Sequence, residues 1–95
     1  MQCSNLIFSR HAIERMFQRS ITLDAVRHII ENGDCIAIYP DDKPYPSQLM
    51  LRFEKGEPIH VAVAMDEESG DCFVITAYRP DAAIWNEDFR TRRGP

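Results

Sequence analysis

The sequence predicts an α+β domain made of two N-terminal helices, a four-stranded antiparallel meander and a short C-terminal segment. Three observations carry that prediction. Apolar residues recur at helical spacing as far as Gly33, and beyond it they alternate with period two. Stretches rich in Pro, Gly and Asp separate the alternating runs and suit hairpin connections.

Ser9 suits the N-cap of a first helix that runs to about Gln18. Ile13, Met16 and Phe17 fall in one stripe and are expected to face the core, with His11, Arg15 and Gln18 lining the far side. Arg19-Ser20-Ile21 breaks the pattern. Thr22 then caps a second helix, Asp24 complements its first turn, and Asn32-Gly33 closes it. Leu23, Val26, Ile29 and Ile30 form its expected buried stripe, and His28 lies off it, at the surface.

Residues 35–39 read as a short strand. The connection 40–47 holds three prolines and cannot be a central strand. Alternating segments follow at 48–54, 58–65 and 72–79, joined by turns at Lys55-Gly56-Glu57 and 66–71. From Pro80 the chain is expected to fold back as a short helix or irregular segment anchored by Trp85, ending in a mobile run of arginines.

Ninety-five residues make one domain, 1–95, long enough to bury roughly two-thirds of the unfolded chain's surface. Apolar content of 44% and charged content of 27% are those of a soluble globular protein. No apolar run approaches the roughly 18 residues of a membrane span, so no membrane partner is expected. The N-terminus lacks a basic region followed by an apolar one, which argues against a signal peptide. Cys3, Cys35 and Cys72 are odd in number and far apart, and they read as reduced thiols in a cytoplasmic protein. The net charge of -4 argues against a uniformly basic surface, yet nine of the eleven basic residues are arginine. Its planar fork suits phosphate and carboxylate oxygens.

Burial fixes strand register, because a one-residue slip exchanges the faces. Leu49, Leu51 and Phe53 are expected against the helices with Ile59, Val61, Val63 and Met65, and with Phe73, Ile75 and Ala77. That arrangement sets Phe53 opposite Ile59 and Val61 opposite Ile75. The opposite face would then carry Arg52, His60 and Tyr78 in one row beside a floor of alanines, an arrangement suited to an anion. The other parity of the last hairpin would bring Thr76 and Tyr78 to the core side and dissolve the row.

Four stretches together resemble a bacterial family, domain of unknown function 4258: His11-Ala12-x-x-Arg15-Met16; Tyr39-Pro40-Asp41-Asp42-x-Pro44-Tyr45-Pro46-Ser47; Ile59-His60-Val61-x-Val63-Ala64; and Val74-Ile75-Thr76-Ala77-Tyr78. The match extends to Trp85 and Arg92-Arg93. That family looks akin to the RelE and BrnT toxins and to the barnase, EndoU, colicin and RelE group of ribonucleases. The resemblance implies a RelE-like fold, with helices preceding an antiparallel sheet, and RNA chemistry on the sheet face. It makes His11, Arg15, Thr76 and Tyr78 candidate functional residues.

Metal-independent RNA cleavage needs a base for the 2′-hydroxyl, an acid for the leaving oxygen and fixed positive charge for the phosphate. Histidine titrates near neutrality and arginine can hold two phosphate oxygens. The expected catalytic set is therefore His11, Arg15, His60 and Tyr78, with Arg52, Thr76 and Arg79 binding substrate. The three histidines show no ligand spacing, so neither metal nor other cofactor is expected. RNA and an antitoxin protein are the expected partners, and the oligomeric state is left open. A non-catalytic RNA- or protein-binding module of the same fold is the alternative. For His11 and Arg15 the plain alternative is a solvated helix face, and for His60 a structural strand histidine.

Overall fold

In the computed structural model, which describes residues 1–94, strand β1 (Asn5–Phe8) precedes helices α1 (Arg10–Gln18) and α2 (Leu23–Asn32). Strands β2 (Asp34–Tyr39), β3 (Ser47–Glu54), β4 (Glu57–Met65) and β5 (Asp71–Tyr78) follow. The sheet has five strands in the order β1-β5-β4-β3-β2, and β1 runs parallel to β5. This corrects the four-stranded antiparallel sheet and the helices-first order. β1 is too short for alternation to mark it, and its partner lies 66 residues away, with Asn5 beside Asp71.

Both helix starts follow from capping. The Ser9 hydroxyl accepts the Ala12 N–H at 3.0 Å, and that of Thr22 accepts the Ala25 N–H at 3.0 Å. The buried faces differ from expectation. α1 buries Ala12 and Met16, whereas Ile13 is exposed and Phe17 is 85% exposed. α2 buries Val26, Ile29 and Ile30 but leaves Leu23 exposed. Small Ala12 lets α1 approach the sheet beside Met16, and the bulky residues at 13 and 17 turn toward solvent.

Register explains the larger correction. The β3–β4 turn has two residues, Lys55 and Gly56, both at positive φ (52° and 82°), the conformation of a type I′ hairpin. Glu54 therefore faces Glu57, and Phe53 faces Pro58 instead of Ile59. One residue fewer in the turn turns β3 over. Met50 joins Ile59, Val61 and Val63 in the core under the helices, and Leu49, Leu51 and Phe53 take the outer face. Val61 faces Ala77, not Ile75: the turn sets Met65 opposite Cys72, one residue further along than expected, and a bulge between Ala62 and Val63 adds the second. Cys72, Val74 and Ala77 complete the core, while Phe73 stacks on Tyr45, centroids 5.4 Å apart.

Cys3, just before β1, and Cys72 of β5 form a disulfide, correcting the reading of three reduced thiols; Cys35 is free and exposed. The parallel pairing that brings the two together was invisible at a separation of 69 residues. No helix among the described residues is long and apolar enough to cross a membrane. The segment after β5 is irregular, folds back on the outer face, buries Trp85 and forms an isolated bridge between Trp85 and Arg92. Its arginines, expected to be mobile, are docked. Arg90 pairs with Asp34 at 2.8 Å, Arg92 lies 5.4 Å from the Trp85 ring centroid, and the Arg93 Nε donates to the Ala82 carbonyl at 2.8 Å.

Candidate functional site

β4 and β5 put His60 beside Tyr78 and Ala62 beside Thr76 on the outer face. The third member of the expected row is absent. Arg52 stands opposite Ile59, on the helix side, where its NH1 reaches the Asn32 carbonyl at the end of α2 (3.4 Å) and its Nε lies 3.4 Å from Glu54 Oε1. The same carboxylate takes His28 Nδ1 at 2.7 Å. Leu51 occupies the place beside His60. The row of Arg52, His60 and Tyr78 is not formed, because the shorter turn reversed β3.

His60 is completely buried. Its Nε2 lies 2.8 Å from the Phe89 carbonyl, and that oxygen can only accept, so Nε2 carries the proton. Nδ1 is then bare and accepts the Tyr78 hydroxyl at 3.2 Å. The Trp85 ring stands perpendicular to the imidazole at 4.5 Å and the Tyr78 ring meets it edge-on at 5.3 Å. Burial pushes the imidazole below its ordinary pKa of 6.5, and the Phe89 carbonyl offsets part of that shift. Burial likewise raises the Tyr78 phenol above its ordinary value; the nearby Tyr39 phenol adds to the shift and Arg92 opposes it.

The other expected residues separate into engaged and open ones. Arg79 is engaged: its Nε meets Glu57 Oε2 at 2.7 Å, and its guanidinium also donates to the carbonyls of Arg19 and Ser20. Thr76 Oγ1 accepts from Arg19 NH1 at 3.2 Å, and the same nitrogen donates to the Ala77 carbonyl at 2.8 Å. His11 and Arg15 are exposed on α1 and form no ion pair among the described residues. They lie one and two turns before Arg19 on the same stripe, so the stripe that starts at His11 ends on β5 at Thr76. Two participants escaped sequence reasoning. Arg19 was discounted as a pattern break, although its spacing of four from Arg15 was the available signal. Tyr39 opens one of the stretches that carry the family resemblance, yet it was given no role of its own there.

Beyond the tyrosines the outer face opens into a groove of about 550 Å³ lined by Ile38, Tyr39, Asp41, Ser47, Ala62 and Ile75. Asp42, which also lines it, is occupied, accepting the Ser47 hydroxyl at 2.6 Å and the Lys43 N–H at 3.0 Å. Among the described residues no three His, Cys, Asp or Glu side chains cluster as a metal ion would require.

Fold and site thus define a class: a two-helix domain on a mixed five-stranded sheet whose helix-free face carries tyrosines, a small-residue floor and a docked arginine segment. A family model described as domain of unknown function (DUF4258) matches residues 8–79, and the chain belongs to that family. No curated protein and no solved structure matches it.

Proposed function

We propose that this protein binds single-stranded RNA on the outer sheet face and the adjoining α1 stripe, without cutting it. One observation carries the choice between binding and cleavage. The imidazole that cleavage would use on the sheet, His60, is sealed from solvent with both nitrogens occupied. The groups suited to binding stay accessible: Arg15 and His11 on α1, Tyr39 at the groove, and Arg92 on the C-terminal segment. Tyrosine faces stack on unpaired bases and arginines hold phosphates, the usual combination for single strands. Asp41 and Asp42 repel phosphate from the groove itself, so a base fits there and the backbone follows the arginines.

Retention of a labelled single-stranded RNA by wild type, Arg15→Ala and Tyr39→Ala tests this. Arg15→Ala should weaken binding and lower the slope against log salt by about one. Loss of the stacking ring in Tyr39→Ala should weaken binding at least about fivefold. Lys55→Ala, in the distant hairpin turn, serves as the control. Absence of salt-dependent retention, or variants that bind like wild type, would overturn the reading.

A second reading has one observation in its favour. The exposed His11 and Arg15 lie on the stripe that Arg19 joins to Thr76, and an imidazole beside a guanidinium is sufficient in kind for phosphodiester chemistry. On that reading the chain is a metal-independent endoribonuclease related to the RelE and BrnT toxins, with an antitoxin protein as partner. Cleavage of RNA but not of its 2′-deoxy counterpart, in chelator, would favour it over binding alone. Both readings place the protein in the cytoplasm, on the ground of an RNA target. The Cys3–Cys72 disulfide points the other way, since such bonds persist mainly in oxidising compartments.

A further inference from the structure

We propose that residues 80–94 form a strap that stays closed over the outer sheet face while His60 is neutral and lifts from it when His60 is protonated. The inference is independent of what the face binds. It starts from how the strap is held. Its inner end is folded on itself, through the Arg93 N–H on the Ile84 carbonyl at 2.8 Å and Arg92 over Trp85. Among the described residues, contacts of three kinds hold it toward the sheet. Arg90 pairs with Asp34 at 2.8 Å, but both side chains are well exposed, and such pairs contribute little. Phe89 meets Phe53 edge-on at 6.1 Å, and Phe53 is itself exposed. The third contact is His60, which donates to the Phe89 carbonyl and packs against Trp85, both within the strap.

Protonation acts on that third contact alone. Nδ1 gains a hydrogen, and the Tyr78 oxygen can turn to accept it, so a hydrogen bond is not what is lost. What changes is that a cation becomes sealed beneath the strap. The groups facing it are all unable to balance the charge. Tyr78 from β5 is neutral, with the neutral Tyr39 behind it; Leu51 from β3 is apolar. The strap brings Trp85 and the Phe89 carbonyl, and its Arg92, over the same Trp85 ring, is positive. Asp34, at the strap's far anchor, is already paired with Arg90. Among the described residues no carboxylate lies within ion-pair distance of His60. The helices and their charges lie across the sheet. A buried, unpaired imidazolium favours whichever arrangement admits water, and the strap is the cover that can move.

The sign is consistent with the direction of the His60 shift. With the strap closed the imidazole titrates below 6.5, and with it open near that ordinary value. The closed state is therefore fully favoured above 6.5 and loses ground as pH falls below it. The window lies above the ordinary carboxylate range, and the backbone N–H of Arg90 holds the Asp88 carboxyl lower still.

Trp85 is the only tryptophan, so its emission reports the strap directly. Titrating the full chain from pH 7.5 to 5 should red-shift that emission with a midpoint below 6.5, while far-UV circular dichroism holds constant. His60→Gln, whose amide can still donate to the Phe89 carbonyl, should abolish the shift. Arg90→Ala, which releases the exposed anchor, should raise the midpoint by roughly 0.3 pH units. Flat emission in the wild type, or loss of circular dichroism in the same transition, would overturn the proposal. So would a His60→Gln protein that still responds. Should His60→Gln fail to fold, a wild-type emission midpoint at or above 6.5 would be decisive against it.

Discussion

Phe17, in the last turn of α1, has 85% of its surface exposed, while Met16 beside it and Ala12, five residues earlier, are sealed. Hydrophobicity ranks Phe17 above Ala12 for the core, and sequence reasoning followed that ranking. Close approach of helix to sheet reversed it, because a small side chain admits the backbone and a large one holds it off. Phe17→Ser should accordingly change stability by less than about 0.5 kcal/mol in urea unfolding, the range of surface substitutions. A loss above about 2 kcal/mol would mean that Phe17 is packed after all. His60 shows the same limit from the other side. Sequence alone left it poised between a structural strand residue and a catalytic one. Its neighbours Trp85 and Phe89 come from 25 and 29 residues downstream, and no local pattern could have announced that enclosure.

Elements were legible where their signals are local. Ser9 and Thr22 cap the helices from which they were read, and the four strands after Gly33 lie where alternation placed them, within a residue or so. The count of turn residues was not legible. Lys55-Gly56 alone makes the hairpin turn, and that single residue moved Arg52 from the expected cleft to the carbonyl end of α2. Gly33 is a related case. It follows α2, yet its φ of -76° is not the left-handed closure that glycine usually supplies there. Glycine is required for space instead. A Cβ at this position would lie 2.5 Å from the Ile29 carbonyl oxygen and 2.8 Å from that of Leu51, both backbone atoms. Gly33→Ala should therefore destabilise by about 2–3 kcal/mol and lower the melting temperature by roughly 10 °C. A melt within 2 °C of wild type would show that the junction of α2 and β2 yields easily.

For the whole molecule, the helices and the antiparallel hairpins follow from near-neighbour rules, whereas the mixed sheet does not. Closing β1 onto β5 joins the two ends of the matched region, and the Cys3–Cys72 bond fixes the same edge. The consequence for function is that α1 follows β1 and packs on β5, and Arg19 at its C-terminal end reaches Thr76, next to the face that the C-terminal segment covers. That layout leaves cations and tyrosines facing water and the sheet histidine enclosed, which is the basis for binding without cleavage. The most direct test is to incubate the protein with end-labelled single-stranded RNA and chelator at pH 7.5, then measure both retention on a filter and fragment length on a denaturing gel. We predict RNA that is retained at low salt, released as salt rises, and full-length throughout. Shortened RNA, from a protein shown to be free of contaminating nuclease, would contradict the account, as would full-length RNA that is never retained.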